Sequence, residues 1–385
     1  MSIDRTNRIV IVCPTLFAND AVGNAAAQLY RDLSADPINR VTMLVRSSGR
    51  SDTPVTVITT LTDLMYDDDF LRADVLIYIF AIYSDLFNVL LIGNGRAVQV
   101  IRFHNVTPLA FVAEKDRPLI DQSLRQLQAF HSADEIWADS QENIAELGRR
   151  GIAQEKCRLM PLGVKPLTRG RLTAKAGGTV RFVFVGRLVP SKGVDDLIEA
   201  AGILRRRDRF PFTVDVLGNM RHAPPAFIQG LKRRIIELGL SEVVALKGAV
   251  SNETLCDAYT AAHVFVTASH HEGFCVPVIE ALAAGCVPVC YDNSNLRYIH
   301  GGLGRLAAEE TPEALAEAMM EIGDSVSALW SGEPATLDVA QGPMTPDAFD
   351  AAADLYVAEF DPDTCARRVS ARIDHLTSST VARPA

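Results

Sequence analysis

The feature that most constrains the fold is an alternation of short apolar runs with amphipathic stretches, which occurs twice along the chain. Runs typical of strands buried on both faces lie at 8–13, 40–45, 75–80, 98–103 and 135–139, and again at 180–185, 213–218, 243–248, 263–268 and 286–290. Helical patterns such as 22–33 and 119–130 lie between them. Such alternation predicts an α/β protein with one doubly wound parallel sheet in each half.

The length of 385 residues suits two domains, because a single hydrophobic core stops growing at roughly 250 to 300 residues. A stretch rich in Gly, Thr, Lys and Arg separates the two alternating regions and is typical of a linker. We therefore predict an N-terminal domain at 1–165, a linker at 166–178, a C-terminal domain at 179–358 and a final helical segment at 359–385. Two such domains imply a cleft between them, where ligands tend to bind.

Charge and cysteine content exclude some classes of protein. A net charge of -9 argues against nucleic acid as a partner, because phosphate backbones select basic surfaces. The seven cysteines include no CxxC pair, as expected for reduced thiols in a cytosolic protein. The first apolar run, 9–13, is too short for a signal peptide. These observations predict a cytoplasmic location.

The segment 74–93 is nearly apolar enough to suggest a membrane span. Polar residues interrupt it at Ser84, Asp85 and Asn88, and Ser84 with Asp85 is a favourable helix start. We expect a strand followed by a helix here, and not a transmembrane segment. Basic clusters at 149–150 and 205–207 could touch anionic lipid, although solvated helix faces are the favoured interpretation.

The stretch 269–285, SHHEGFCVPVIEALAAG, places Glu272 before a predicted helix start and Glu280 about one turn inside it. Pro277 suits the first turn, where the missing N–H of proline leaves no backbone donor unsatisfied. The free amides of a first turn attract an anion such as phosphate. The two carboxylates could then hold hydroxyl groups on either side of a diphosphate. Ordinary acidic residues at a helix start are the alternative interpretation.

Two residues after the strand 180–185 could supply positive charge. Arg187 and Lys192, together with Gly186, lie between this strand and the helix that follows it. Two cations at the carboxyl end of a parallel strand can neutralise a diphosphate, including the charge that grows as it leaves. Solvated surface cations are the alternative.

The first half offers weaker signals. Gly23 opens a helix after the first strand and could allow close approach of a substrate, or simply mark a helix entry. His104 follows the strand 98–103, where its side chain would face the cleft. A lone histidine is more often a structural residue, but this position favours an active-site role. The triplet Asp67-Asp68-Asp69 mimics a metal-binding DxD motif, but we expect an ordinary helix start. The absence of G-x-G-x-x-G after the first strand disfavours a dehydrogenase.

The second half contains four motifs in order: VGRLVPSKG, VLGN, LKGAV and SHHEGFCVPVIEALAAG. Together they resemble the donor-binding domain of glycosyltransferase family 4, whose members are retaining enzymes of the GT-B fold. The pattern Glu-x7-Glu downstream of a GR...KG element carries this resemblance. The N-terminal half matches more loosely, through Gly23, RFHNVTP and ADEIWADSQENIAELGRRGI. The resemblance covers roughly 8–305 and the final helix, and implies two Rossmann-like domains facing each other across a cleft.

The resemblance implies a role for each matching residue. Arg187 and Lys192 would bind the donor diphosphate and stabilise it as the leaving group, with Glu272 on the donor sugar and Glu280 on the ribose. His104 would reach the donor sugar near the reacting carbon. Further donor-side positions are Gly186, Asn219, Gly273, Phe274 and Cys275, and acceptor-side positions are Gly23 and Asn24. Cys275 departs from the glycine usual there, and Gly23-Asn24 departs from a glycine pair.

The implied activity is transfer of mannose or glucose, with retention and without a metal or other cofactor, from GDP-mannose or UDP-glucose. The acceptor would be a glycan or a lipid-linked precursor in cell-surface polysaccharide or glycoconjugate synthesis, with peripheral contact to the inner membrane face. Two alternatives stay open. A nucleotide-sugar epimerase or hydrolase would use the same donor site without an acceptor, and a catalytically silent scaffold would only bind the nucleotide sugar.

Overall fold

The computed structural model describes residues 6–18, 20–220, 223–331 and 335–380. These residues divide into two compact units. Unit 1 comprises the described residues up to Gly163 together with those from Pro362 onward, and unit 2 runs from Val164 to Asp361.

Unit 1 contains a seven-stranded sheet with the order β5-β3-β1-β6-β7-β8-β9, in which every pairing described is parallel. Strands β2 and β4 form a separate short parallel pair. The strands are β1 (Asn7–Val12), β2 (Thr15–Leu16), β3 (Asn39–Val45), β4 (Ser47–Ser48), β5 (Thr56–Val57), β6 (Val75–Phe80), β7 (Val98–Phe103), β8 (Glu135–Ala138) and β9 (Cys157–Leu159). All five strands predicted in this half are confirmed.

The sheet of unit 1 is buried on both faces, because alternate residues of each strand enter different clusters. On β1, Val10 and Val12 pack with Phe80 and Phe103 on one face, while Ile9 and Ile11 pack into a cluster on the other face. Helices cover both faces of such a sheet, so its strands are apolar throughout.

The helices of this part of unit 1 are α1 (Ala21–Ser34), α2 (Leu61–Met65), α3 (Asp68–Arg72), α4 (Arg117–Gln126) and α5 (Gln141–Arg149). Segments of 3₁₀ helix are Asp85–Leu91, Leu109–Phe111, Glu114–Asp116, Leu127–Ser132 and Gln154–Lys156. The Ser84 hydroxyl caps the first of these, so the strand and helix predicted in 74–93 are confirmed, with the helix in 3₁₀ form. Among the helices that the structure describes, none has the length and hydrophobicity required of a membrane span.

Unit 2 contains a second parallel sheet, with the order β12-β11-β10-β13-β14-β15. Its strands are β10 (Val180–Val185), β11 (Phe212–Leu217), β12 (Val244–Gly248), β13 (Val264–Thr267), β14 (Val287–Tyr291) and β15 (Arg305–Ala307), and a hairpin adds β16 (Leu337–Val339) and β17 (Gly342–Met344). Its helices are α6 (Val194–Arg207), α7 (Pro225–Glu237), α8 (Asn252–Ala261), α9 (Val276–Ala283), α10 (Leu296–Ile299), α11 (Pro312–Ser331) and α12 (Pro346–Ala358), with 3₁₀ turns at Leu172–Ala174 and Pro190–Lys192. The second doubly wound sheet is therefore confirmed.

After Leu329 the alternating pattern of the sequence is lost, which predicts an irregular surface insertion, but the described residues of this stretch are more regular. Helix α11 continues to Ser331, and β16 and β17 form an antiparallel hairpin within this stretch. Leu337 and Val339 are buried with an exposed residue between them. The two buried side chains of this alternation anchor the hairpin. The alternation is too short to be recognised in the sequence.

The segment predicted as a linker, 166–178, belongs to unit 2 and is packed there. The buried Asp350 of α12 accepts hydrogen bonds from the backbone N–H groups of Leu172 (2.8 Å) and Thr173 (3.2 Å). The Lys175 ammonium donates to the carbonyl oxygen of Tyr259 (3.0 Å), near the end of α8. Buried backbone donors need such partners, which explains why a polar segment is held in place.

The last helix, α13 (Pro362–Thr380), belongs to unit 1. Val369 and Ile373 join Trp137 in one of the two clusters beside the sheet. Arg372 Nε donates to the buried Glu135 carboxylate of β8, 2.8 Å from Oε1 and 2.9 Å from Oε2. The chain thus returns to its first unit after completing the second.

Candidate functional site

The strand order of unit 2 reverses between β10 and β13, and ligands in open α/β sheets bind at such a point. After β10 the chain makes the 3₁₀ turn Pro190–Lys192 and enters α6 through Gly193, which has φ +60°. A Cβ on Gly193 would lie 2.0 Å from the carbonyl oxygen of Ala268. Glycine therefore allows the Lys192 turn to pack directly against the end of β13.

The loop after β13 docks on this turn. The Ser191 carbonyl accepts the backbone N–H of His270 (3.0 Å) and the hydroxyl of Ser269 (3.3 Å). This contact brings Lys192 Nζ to 2.6 Å from Glu272 Oε1, and their side chains are only 16% and 14% exposed. Two predicted site residues, 80 positions apart, thus form an ion pair at the strand-order reversal.

Three consecutive residues after β14 hold the same loop, and sequence reasoning missed them. The Ser294 hydroxyl accepts the Glu272 N–H (3.0 Å), and Asn295 Nδ2 donates to the Phe274 carbonyl (2.7 Å). Asn293 Nδ2 donates to the Ser269 carbonyl (3.0 Å). We call Asn293–Asn295 the loop clamp. A run of Asn and Ser close to the end of a strand was the available signal, because such residues bond readily to backbone groups.

Cys275 takes a left-handed conformation, with φ 78°, as the N-cap of α9. This conformation is strained for a residue with a side chain. Burial raises the pKa of its thiol well above the ordinary value. The carbonyl of Cys275 accepts the Val278 N–H (3.1 Å), and Pro277 has no N–H. Fewer amides of this first turn are therefore free for an anion than the sequence suggested.

Helix α9 begins at Val276 and carries Glu280 one turn inside, as predicted. The Tyr259 hydroxyl of α8 donates to Glu280 Oε2 at 3.1 Å. Burial raises the pKa of Glu280, and the Tyr259 hydrogen bond partly offsets this. A carboxylate held with so few partners can still accept hydrogen bonds from ligand hydroxyl groups.

The remaining donor-side predictions lie around this pair. Arg187 is exposed, and its guanidinium forms no ion pair with any other residue that the structure describes. The carbonyl of Asn219 accepts the Leu188 N–H (3.1 Å), which ties the ends of β10 and β11 together. Gly186, Gly273 and Phe274 complete the predicted set; the first two are half-buried and Phe274 is buried.

In unit 1, Gly23 lies in the first turn of α1 and donates its N–H to the Asp20 carboxylate at 3.0 Å. A Cβ at Gly23 would lie 2.5 Å from the Phe17 carbonyl oxygen. The side chain of Asn24 accepts a hydrogen bond from Arg50 Nη1 (2.6 Å). These contacts are those of an ordinary helix start with a close approach of the preceding loop.

His104 directly follows β7, where the sequence placed it, and its side chain is 4% exposed. Its Nδ1 lies 2.6 Å from Oδ2 of Asp139, which follows β8, and Arg102 Nη2 lies 2.7 Å from Asp139 Oδ1. Sequence reasoning missed Asp139, although it ends the predicted strand 135–139. The strand-end rule that selected His104 would also have selected Asp139.

Two further predictions concern residues outside these sites. The Asp67 carboxylate accepts the Phe70 N–H (2.9 Å) as the N-cap of α3, so the acidic triplet is a helix start, as expected. All seven cysteines are free thiols, as expected, and all except the half-buried Cys256 are buried.

Comparisons with known proteins add family and fold information. Residues 172–325 match the family model described as glycosyl transferases group 1. Mannosylfructose-phosphate synthase from Agrobacterium fabrum is 32% identical over 166 residues, which cover 40% of this chain and 35% of that protein. D-inositol 3-phosphate glycosyltransferase from Streptomyces griseus is 28% identical over 278 residues, covering 65% and 59%.

The structure of Anabaena Alr3699/HepE in complex with UDP superposes with a TM-score of 0.71 and 15% identity, covering 96% of this chain and all of that chain. The fold is that of the GT-B glycosyltransferases. The predicted pair of Rossmann-like domains is thereby confirmed. This chain spans less than two thirds of the length of either curated relative, and the family match lies wholly within unit 2.

Proposed function

We propose that this protein is a retaining hexosyltransferase that moves mannose or glucose from a nucleotide sugar to a hydroxyl group of an acceptor. The observation that carries the proposal is the Lys192–Glu272 ion pair at the strand-order reversal of unit 2. The match of residues 172–325 to group 1 glycosyl transferases supports it. So does the likeness to a GT-B structure that contains UDP.

In this proposal Lys192 and the exposed Arg187 bind the diphosphate and stabilise the charge that grows as it leaves. Side chains therefore supply the positive charge, and the reaction proceeds without a metal. Glu272 holds hydroxyl groups of the hexose, and Glu280 holds the ribose. Before the donor binds, Glu272 supplies the counter-charge for the half-buried Lys192 ammonium.

The names of the two curated relatives both include a phosphorylated polyhydroxy compound. For this reason the acceptors to be tested include sugar and inositol phosphates, beside the glycan and lipid-linked acceptors that the sequence resemblance implies. The name of the Agrobacterium relative also favours mannose as the donor sugar. UDP-glucose stays the alternative, since the HepE structure contains UDP.

The test is donor consumption. The protein is incubated with GDP-mannose or UDP-glucose, with and without each acceptor and with EDTA present, and nucleoside diphosphate release is followed by chromatography. We expect release that depends on an acceptor and survives EDTA, with an α-linked product by NMR. Release of free sugar or of an epimer without an acceptor would contradict transfer and indicate a hydrolase or an epimerase. Nucleotide binding without turnover would favour a scaffold.

A further inference from the structure

Parallel pairing places three polar side chains together at the carboxyl end of the sheet in unit 1. Strands β7 and β8 pair with Phe103 opposite Ala138. The next residues, His104 and Asp139, therefore leave the sheet side by side. Arg102 precedes His104 by two positions, so both side chains fall on the same face of the strand.

The two oxygens of Asp139 have separate partners. Oδ1 forms an ion pair with Arg102 Nη2 at 2.7 Å, and Oδ2 lies 2.6 Å from His104 Nδ1. The three side chains are between 3% and 8% exposed. A buried carboxylate without a counter-charge is strongly destabilising, and Arg102 supplies that charge. His104 is therefore not required to be an imidazolium to neutralise Asp139.

The contact with Asp139 determines which nitrogen of His104 carries the proton. A carboxylate oxygen only accepts hydrogen bonds, so Nδ1 donates, and in the neutral ring Nε2 carries the lone pair. Nε2 is buried and has no hydrogen-bond partner in the part of the chain that the structure describes. Buried polar atoms are nearly always paired, so an unpaired Nε2 indicates a position for a ligand hydroxyl group.

The backbone around His104 is fixed independently of Asp139. Asn105, the next residue, has φ 76°, and its Nδ2 donates to Asn143 Oδ1 at 2.7 Å. The Asn143 Nδ2 in turn donates to the Phe103 carbonyl at 3.3 Å. A substitution at Asp139 is thus expected to alter the tautomer of the His104 ring more than the position of the His104 backbone.

We propose that Asp139, with Arg102 as its counter-charge, is a positioning residue that keeps His104 in the tautomer with the proton on Nδ1. The lone pair of Nε2 then accepts a hydrogen bond from a substrate hydroxyl group. This inference rests on the proposed function for the contact of His104 with substrate. The tautomer itself is independent of any substrate.

The variant Asp139→Asn tests the assignment. Arg102 needs an acceptor, so the amide oxygen faces Arg102 and the amide NH₂ donates to His104 Nδ1, which moves the ring proton to Nε2. Histidine-selective ¹⁵N NMR, with His104→Ala for assignment, reports this change directly. We expect the Nδ1-protonated form in the wild type and the Nε2-protonated form in the variant. An unprotonated Nδ1 in the wild type would overturn the inference.

Kinetics provide the second readout, using whichever of GDP-mannose and UDP-glucose the wild type consumes. We expect D139N to lower kcat by about tenfold to a hundredfold, the range for losing a hydrogen bond to a charged group, with donor KM little changed. The double variant H104A/D139N should be no slower than H104A, because Asp139 acts through His104. If the double variant instead lost activity by the product of the two single effects, Asp139 would act by a route other than His104.

Glu135→Gln is the matched control, since Glu135 is a buried carboxylate on β8, the strand that Asp139 follows, and is paired with Arg372. It should lower the melting temperature without altering the His104 resonances or the ratio of kcat to KM. Failure of the proposed function can be distinguished from failure of the tautomer assignment. A wild type that turns over no nucleotide sugar would contradict that function, while the NMR comparison would still decide the tautomer.

Discussion

The two candidate sites differ in how their functional side chains are held. In unit 1, regular strand pairing delivers His104 and Asp139 to adjacent positions, and direct side-chain contacts with Arg102 complete the cluster. In unit 2, Glu272 lies on a loop, and the loop is held through its backbone by polar side chains from neighbouring segments.

The difference indicates how substitutions should affect each site. Strand register fixes positions through many backbone hydrogen bonds, so a single substitution in unit 1 changes chemistry more than geometry. A loop fixed by a few side-chain bonds opens more easily than a sheet, because little free energy separates its ordered and open forms. Substitutions at the loop clamp should therefore change substrate binding together with turnover.

The largest effect is expected from removing either member of the ion pair in unit 2. Lys192→Ala and Glu272→Ala should each lower the rate of transfer by about a hundredfold to a thousandfold, as for loss of a group that stabilises developing charge. Steady-state kinetics measure the change, and circular dichroism checks the fold. Lys247→Ala is the control, since Lys247 forms a more exposed ion pair with Asp215 at 2.7 Å. Equal effects of Lys192→Ala and Lys247→Ala would refute the assignment.

An intermediate effect is expected at the loop clamp. Asn295 is 1% exposed and donates to the Phe274 carbonyl at 2.7 Å. Asn295→Ala should raise the donor KM and lower kcat, each by about tenfold, because a buried carbonyl loses its partner and the loop loosens. Asn94→Ala is the matched control in unit 1, where Asn94 donates to the carbonyls of Phe70 and Ala73. Asn94→Ala should lower the free energy of unfolding without changing the donor KM or kcat. A similar rise in KM for this control would contradict a specific role for the loop clamp.

The smallest effect is expected at Glu280. Glu280→Gln should weaken nucleotide binding by about tenfold, because an amide accepts ribose hydroxyl groups less strongly than a carboxylate does. Burial raises the pKa of Glu280 in the folded protein. The charged wild-type side chain therefore costs stability at neutral pH, and this cost disappears as pH falls below the pKa of the unfolded chain.

The stability of Glu280→Gln thus has a pH dependence of known sign. At neutral pH the free energy of unfolding of this variant should equal or exceed that of the wild type. The excess should shrink as pH falls toward about 4, the ordinary pKa of glutamate. Urea titrations at several pH values measure this difference. A variant that is less stable than the wild type at neutral pH would contradict the burial argument.

Much of the fold was predictable, because buried parallel strands are continuous apolar runs of four to eight residues. The boundaries of β6, β7 and β10 were predicted to the residue. The hairpin β16–β17 was not, since three-residue strands give too short an alternation to recognise. The role of the segment 166–178 was also not predictable, because the partner of its backbone, Asp350, lies far away in sequence.

The candidate site was predictable where a residue follows a strand directly or carries a motif. His104, Lys192 and Glu272 were proposed as site residues in this way, and the structure pairs Lys192 with Glu272. The loop clamp and Asp139 were not found, because their contribution is a hydrogen bond to another residue, and its partner is known only once the strand order is known. The sequence indicated that Cys275 replaces a usual glycine, a position where backbone strain can arise. That its φ angle is positive was known only from the structure.

The central claim is that the Lys192–Glu272 corner of unit 2 binds the diphosphate of a nucleotide sugar. A thermal-shift panel of UDP, GDP and ADP selects the ligand, because a compound that binds only the native state raises the melting temperature. Calorimetric titration of that ligand into the wild type, Lys192→Ala and Lys247→Ala then tests the claim. We predict an affinity at least about tenfold weaker for Lys192→Ala and unchanged for Lys247→Ala. Equal affinity in all three proteins, or no binding of any nucleotide to the wild type, would contradict it.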